Sequence, residues 1–139
     1  MKRIAAVLAV LALLTGAAFA DGDAAKGQKV FKKKCFACHK VGEGAKPGVG
    51  PVLNDLFGRQ AGTMDGFAKY TDAMKAAGGD GLVWDSERLR EYLPAPRDYV
   101  TGTTMFFAGL AKPADIENLI AYLEQFSPEA EPTDADSNP

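Results

Sequence analysis

The chain has 139 residues, 16 of them basic and 18 acidic, which gives a formal net charge of −2 at pH 7. This near balance gives no support for nucleic-acid binding, which depends on an excess of basic surface. The length suits one domain with one hydrophobic core. Two cysteines and one histidine are too few for a structural zinc site with four such ligands.

Residues 1–20 predict a secretory signal peptide. Two basic residues precede the apolar run 4–14, which is too short to span a bilayer comfortably, and residues 18–20 read Ala-Phe-Ala, a small-residue cleavage site. An uncleaved membrane anchor is the alternative. We expect cleavage before Asp21, export to the periplasm and a mature protein with no stable membrane insertion.

A first helix is predicted from a cap at Asp23 towards Lys34, with Val30 and Phe31 on its apolar face. Gly27 lies inside this helix, where glycine costs about 1 kcal/mol relative to alanine. We interpret this glycine as a point where another helix packs closely.

The run Cys35-Phe36-Ala37-Cys38-His39 follows and contains both cysteines and the single histidine. C-x-x-C-H is the attachment signature of a c-type haem. The two thiols would form thioethers with the haem, and the imidazole would reach the iron. A redox-active thiol pair is the alternative, but such a pair opens a helix after a strand, whereas helix is predicted before this run. We therefore predict one haem c, bound covalently through Cys35 and Cys38, with His39 as an iron ligand.

Residues 41–66 are rich in glycine and proline and predict a long loop, which in a small domain is typical of a segment that wraps a ligand. Short helices are predicted over 71–77, stopped by two glycines, and from a cap at Asp85 to Pro94, with a short turn or helix in 95–104. The last helix opens at Lys112-Pro113 and carries apolar residues at helical spacing up to Phe126. No strand is predicted, so the fold class is all-α.

Residues 127–139 are acidic and contain almost no apolar side chains, which predicts a disordered tail. The domain then spans residues 21–126. Such short helices bury little apolar area, so we expect the haem to complete the core and the apoprotein to fold poorly.

A second axial ligand has to come from elsewhere in the chain, because no second histidine exists. The methionines after the signal peptide are Met64, Met74 and Met105. Met105 is mildly favoured by its position in a loop, which can be laid over the iron more freely than the helix that carries Met74.

The ordered motifs of residues 21–126 resemble those of class I cytochromes c, in particular the bacterial periplasmic cytochrome c2 and mitochondrial proteins. The matching motifs are Cys35-x-x-Cys38-His39, Gly50-Pro51-x-Leu53, Phe57-Gly58-Arg59, Tyr70-Thr71-Asp72-Ala73, Trp84, Glu91-Tyr92-Leu93, Gly102-Thr103-x-Met105 and Leu119-Ile120-x-Tyr122-Leu123. The resemblance implies a small cytochrome c fold of about four to five short helices and long loops wrapped around one covalent haem.

The resemblance also implies roles for single residues. Met105 would be the distal iron ligand, and the carbonyl of Pro51 would accept a hydrogen bond from the His39 ring. The remaining cofactor-binding residues by resemblance are Tyr70 and Trp84 as hydrogen-bond donors to a haem propionate, Arg59 as a charge near the propionates, and Tyr92 and Thr103 beside the methionine. Gly27 and Phe31 would cross the last helix near Leu119 and Tyr122.

The function implied is that of a one-electron carrier and not an enzyme. A cytochrome bc1-type complex would be the donor, and a photosynthetic reaction centre, terminal oxidase or periplasmic reductase the acceptor. Docking by a monomer would be transient and electrostatic, through a basic ring of Lys29, Lys32, Lys33, Lys34, Lys40, Lys46, Arg97 and Lys112. Two departures are Met74, where many relatives have asparagine, and Thr104, where many have lysine. A haem enzyme or gas sensor without Met105 on the iron is the alternative function.

Overall fold

The computed structural model describes residues 21–127; the predicted signal peptide and residues 128–139 of the predicted tail lie outside the described residues. The described part contains five helices: α1 (Ala24–Lys34), α2 (Asp72–Gly79), α3 (Ser86–Tyr92), α4 (Pro96–Tyr99) and α5 (Pro113–Glu124). One isolated antiparallel bridge joins Gln60 to Val83. The all-α prediction is confirmed. None of the described helices is long and apolar enough to cross a membrane.

The helices begin where short polar side chains cap them. Asp23 accepts a hydrogen bond from the backbone N–H of Lys26 at the start of α1, and Asp85 accepts one from Arg88 at the start of α3. These bonds satisfy N–H groups that have no partner within the helix. The helices α4 and α5 instead begin with a proline, which lacks that N–H.

The helix α2 differs from the prediction at its end. Its two glycines were expected to stop the helix at residue 77, but the helix continues to Gly79. A Cβ atom on Gly78 would overlap the backbone carbonyl of Ala61. The first glycine therefore allows helix and loop to approach closely, and the helix ends only after the second.

The contact between α1 and α5 closes the domain. A Cβ atom on Gly27 would overlap the backbone of Asn118 in α5, and the rings of Phe31 and Tyr122 lie 5.5 Å apart at their centroids. The backbone N–H of Asp23 also donates to the Asn118 side chain over 2.7 Å. The prediction that another helix packs closely at Gly27 is confirmed.

The helix α3 joins this pair through polar side chains. Arg90 donates two hydrogen bonds to the carboxylate of Glu117, at 2.8 and 3.0 Å. Ser86 donates to Glu124 over 2.9 Å. The bidentate geometry fixes the orientation of α3 on α5 more tightly than a single contact between point charges would.

The long loop between α1 and α2 is held by side chains that bond to its backbone. Arg59 donates to the carbonyls of Val52 and Asn54 at 3.1 and 3.2 Å. The Asn54 side-chain amide accepts a hydrogen bond from the Gly42 N–H and donates one to the Gly42 carbonyl. Asp55 N–H donates to the carbonyl of Phe126 beyond α5. These bonds give the loop a defined shape around one side of the apolar core.

Candidate functional site

The cysteine–histidine run forms a tight turn directly after α1. The backbone N–H groups of Cys38 and His39 both donate to the carbonyl of Cys35, at 3.0 and 2.8 Å. The turn presents both thiols and the imidazole from one short segment. The two cysteines are not joined by a disulfide.

The Cys35 thiol is poorly suited to disulfide exchange. Burial raises the pKa of Cys35 to about 11, with a smaller contribution from Cys38. Redox-active cysteines instead have a lowered pKa, because the thiolate is the nucleophile. The raised pKa of Cys35 therefore disfavours the redox-active thiol pair.

The His39 imidazole is held by the backbone of the following loop. Its Nδ1 lies 2.8 Å from the carbonyl oxygen of Pro51. Since a carbonyl can only accept, Nδ1 carries the proton and Nε2 retains a lone pair. Burial lowers the pKa of His39, opposed by the Pro51 bond and assisted by the nearby charge of Arg59. The ring is therefore a neutral nitrogen donor in a fixed orientation, as a metal-ligating histidine needs to be.

Gly50 determines how closely this loop approaches the imidazole. Its N–H donates to the carbonyl of Cys38 over 2.9 Å. A Cβ atom at this position would lie 2.5 Å from Cε1 and 2.7 Å from Nδ1 of His39. The sequence marks Gly50 only as a loop glycine within a family motif, and its contact with the histidine ring becomes visible only in the structure.

Met105 lies in the loop between α4 and α5 and is held by two side chains. The Tyr92 hydroxyl donates to the Met105 sulfur over 3.3 Å, and the Thr103 hydroxyl accepts from the Met105 N–H over 3.3 Å. Burial raises the pKa of Tyr92 to about 12, so its hydroxyl stays protonated and able to donate. The thioether is thus a second oriented soft donor.

Arg59, Tyr70 and Trp84 interact with residues of both parts of the site. The charge of Arg59 acts on both His39 and Tyr70, and burial raises the pKa of Tyr70. Trp84 exchanges backbone hydrogen bonds with the segment around Arg59, and its ring meets Tyr92 edge-on at 4.8 Å. A connected series of contacts therefore runs from His39 to Met105.

The fit of a haem follows from this donor set. A neutral imidazole nitrogen and a thioether sulfur are each oriented by a hydrogen bond, and two thiols lie beside the imidazole. Apolar side chains that are only partly buried against the core accompany them, including Leu53, Phe57, Leu82 and Phe107. Within residues 21–127, no group of three or more His, Cys, Asp or Glu side chains could hold a metal ion without such a cofactor.

Comparison with known proteins identifies the family. The sequence model of the family described as cytochrome c matches residues 24–127. The chain belongs to the cytochrome c family. As members of this family do, it transfers electrons rather than catalysing a reaction, and it binds one covalent haem c, for which Cys35 and Cys38 have the required spacing.

Individual relatives agree with this assignment. Cytochrome c2 of Afifella marina is 54% identical over 108 residues, covering 78% of this chain and 86% of that protein. Cytochrome c2 of Blastochloris viridis is 46% identical over 127 residues, covering 91% and 95%. The solved structure of cytochrome c2 from Rhodospirillum centenum superposes with a TM-score of 0.71 at 44% identity, covering 77% of this chain and all of that one. The predicted cytochrome c fold is confirmed.

The proposed basic ring is largely exposed on this cytochrome. The side chains of Lys29, Lys32, Lys33, Lys34, Lys46, Arg97 and Lys112 are exposed. None of them joins the ion pairs found among residues 21–127. Lys40 differs, because its ammonium donates to the carbonyl of Phe36 over 2.7 Å and lies 3.4 Å from the centre of the Phe36 ring. Its charge is therefore less available to a partner than sequence alone suggests.

Proposed function

We propose that this cytochrome is a periplasmic one-electron carrier with His39 and Met105 as its two axial iron ligands. It would take electrons from a cytochrome bc1-type complex and deliver them to a reaction centre, terminal oxidase or periplasmic reductase. The observation that carries the proposal is the Tyr92–Met105 contact, because it gives the chain an oriented thioether in addition to the oriented neutral imidazole.

The residues would perform distinct tasks. The bound haem supplies an iron that takes up and releases one electron. His39 binds it from one side, with its ring fixed by Pro51, and the soft sulfur of Met105 favours the reduced state. Tyr92 holds that sulfur through a hydroxyl that stays neutral. If His39 and Met105 both hold the iron, no iron position would be left for a substrate, which favours an electron carrier over a haem enzyme or gas sensor.

Arg59, Tyr70 and Trp84 would act on the charge of the site rather than on the iron. Arg59 is partly buried and already donates to two loop carbonyls, so it is a fixed positive charge suited to a nearby carboxylate. Tyr70 and Trp84 would supply further donors to the propionates. Met74 is buried and provides no polar group on this side of the core, which leaves these three residues to stabilise the negative charge.

Visible absorption spectroscopy tests the ligand assignment. Methionine ligation gives the oxidised protein a weak near-red band, and we expect Met105→Ala to remove that band. Met64→Ala is the matched control and should retain it, because Met64 is assigned no contact with the iron. Survival of the band in Met105→Ala would exclude Met105 as the ligand. Rapid carbon monoxide binding by the native reduced protein would favour the enzyme or sensor alternative.

Docking through the basic ring predicts a dependence on salt. A basic face on a near-neutral domain speeds the encounter with an acidic partner surface, and ions screen that attraction. Second-order rates with an isolated acceptor should therefore fall as ionic strength rises, and Lys33→Gln should weaken that dependence. Lys75→Gln is the matched control, because Lys75 lies outside the proposed ring near Asp72. Rates that do not change with salt would contradict this docking model.

A further inference from the structure

The start of the domain is fixed against α5. A Cβ atom on Gly22 would overlap the backbone carbonyl of Glu117, and the N–H of Asp23 bonds the side chain of Asn118 at 2.7 Å. Only one residue, Asp21, precedes this fixed segment within the proposed mature chain. Asp21 therefore directly precedes the point where the chain contacts α5, and it lines a crevice there.

Asp21 and Gly22 line a crevice of about 100 Å³ between this segment, α3 and α5. The other lining residues are Arg90 from α3 and Ile120, Ala121, Glu117 and Glu124 from α5. Glu117, Ala121 and Glu124 lie three to four residues apart and so share one side of the helix. The crevice is thus bounded by both polar and apolar side chains.

Carboxylates outnumber cations around this crevice. The hydrogen bonds to Glu117 raise the pKa of Arg90 against the effect of burial, and the charges of Glu117, Glu124 and Glu87 add to the increase. The Asp21 side chain adds a further carboxylate. At the start of α1, the cap residue Asp23 and Lys26 form an ion pair at 3.5 Å, which leaves the balance of charge unchanged. One more positive charge at the Asp21 nitrogen would be attracted to this excess of negative charge.

We propose that this crevice binds the α-ammonium group that cleavage before Asp21 creates. The inference rests on the signal-peptide cleavage included in the proposed periplasmic function. In the uncleaved chain the same nitrogen belongs to a neutral peptide bond and gains nothing from the carboxylates. Removal of the signal peptide would therefore also stabilise the fold, because the new α-ammonium group would interact with the carboxylates of this crevice.

The sign of the pH dependence follows from linkage. An α-amino group has an ordinary pKa of about 8, and the neighbouring carboxylates favour its charged form and raise that pKa. A raised pKa in the folded state gives a stabilisation that is fully present below the ordinary pKa. This stabilisation is lost as the pH rises through the raised pKa.

The test measures the pKa of the α-amino group in the haem-containing protein. Reductive methylation with ¹³C-formaldehyde labels the amine without removing its charge, and NMR then follows its titration. The comparison protein carries Gly-Ser-Gly before Asp21, which moves the amine out of the crevice. We expect about a twofold to fivefold higher proton affinity in the protein that begins at Asp21, the range for a partly exposed ion pair.

Two substitutions locate the source of the effect. Glu124→Gln should reduce the difference between the two proteins, whereas Glu43→Gln, the same change outside the crevice, should leave it unchanged. The proposal would be overturned if the α-amino groups of the two proteins had the same pKa, or if Glu124→Gln left the difference between their pKa values unchanged. The mass of the purified protein reports independently whether the chain begins at Asp21. If it begins elsewhere, a site-specific protease that cuts directly before Asp21 supplies the amino terminus for the same titration.

Discussion

Gly50→Ala tests the close approach of the loop to the ligating imidazole. The added methyl carbon would lie 2.5 Å from Cε1, 2.7 Å from Nδ1 and 3.0 Å from Nε2 of His39. Ordinary carbon contacts lie at about 3.5–4.0 Å, so the ring or the loop has to retreat by about 1 Å. That retreat breaks or lengthens the 2.8 Å contact between Nδ1 and the Pro51 carbonyl.

The expected loss in the free energy of unfolding combines two costs and one gain. Overpacking costs about 1–3 kcal/mol, and loss of the hydrogen bond costs about 0.5–1.5 kcal/mol. Replacing glycine with alanine reduces the conformational entropy of the unfolded chain, which raises the free energy of unfolding by about 0.4–1 kcal/mol. The net loss is about 2 kcal/mol, which for a domain of this size lowers Tm by roughly 10 °C.

The assay compares Gly50→Ala with Gly48→Ala in the haem-containing protein. At Gly48 the nearest atom to an added Cβ is the Cys38 carbonyl oxygen at 3.9 Å, an ordinary contact. Thermal unfolding by circular dichroism gives the stability, and the visible spectrum reports the histidine ligand. Equal Tm values and spectra for the two variants would refute the argument that Gly50 is required for imidazole placement.

Three further substitutions probe the helix crossing, the methionine and the surface. Gly27→Ala should lower the free energy of unfolding by about 2 kcal/mol, since overpacking exceeds the gain in helix propensity. Gly79→Ala is the control: no atom lies within 4 Å of the new Cβ, so the free energy of unfolding should stay unchanged or rise by up to about 1 kcal/mol. If chemical denaturation shows no loss of stability in Gly27→Ala, the close crossing of α1 and α5 is contradicted. The hydrogen bond from Tyr92 draws electron density from the Met105 sulfur and makes it a weaker iron ligand. Tyr92→Phe removes that bond, so the stronger sulfur ligand should stabilise the oxidised iron and voltammetry should show a lower reduction potential. An unchanged potential would exclude this role of Tyr92. Phe106 is 95% exposed and follows Met105 directly, so we expect its ring to contact the acceptor. Phe106→Ser should leave Tm unchanged but slow electron transfer to an isolated acceptor severalfold at every ionic strength, as loss of an aromatic contact does; unaltered kinetics would exclude that contact.

The features predicted correctly from sequence are those with local causes. Asp23 and Asp85 cap helices through bonds to residues three positions along the chain. Gly27 was informative because a glycine inside a helix is costly, and close packing against α5 accounts for it. The cysteine–histidine run identified the cofactor because its chemistry is contained in five consecutive residues.

The features missed depend on contacts between distant segments or on the course of a loop. The approach of Gly50 to His39 depends on the whole path of the loop between them. Lys40 appeared to be a free surface charge, but its ammonium donates to the carbonyl of Phe36, four residues earlier. Phe106 is 95% exposed in the loop that carries Met105, where the N–H of Phe107 donates to the Met105 carbonyl at 3.0 Å, and no role was predicted for this exposed ring from the sequence.

The pairing of α1 with α5 also affects the order in which the parts of the domain can become stable. The helix α1 is made first, but Phe31 finds its partner Tyr122 only ninety-one positions later. Short isolated helices are only marginally stable in water, so α1 stays unsupported until nearly all of the chain has been made. The contact between α1 and α5 therefore forms only when segments far apart in the chain are brought together, at an entropic cost that slows folding.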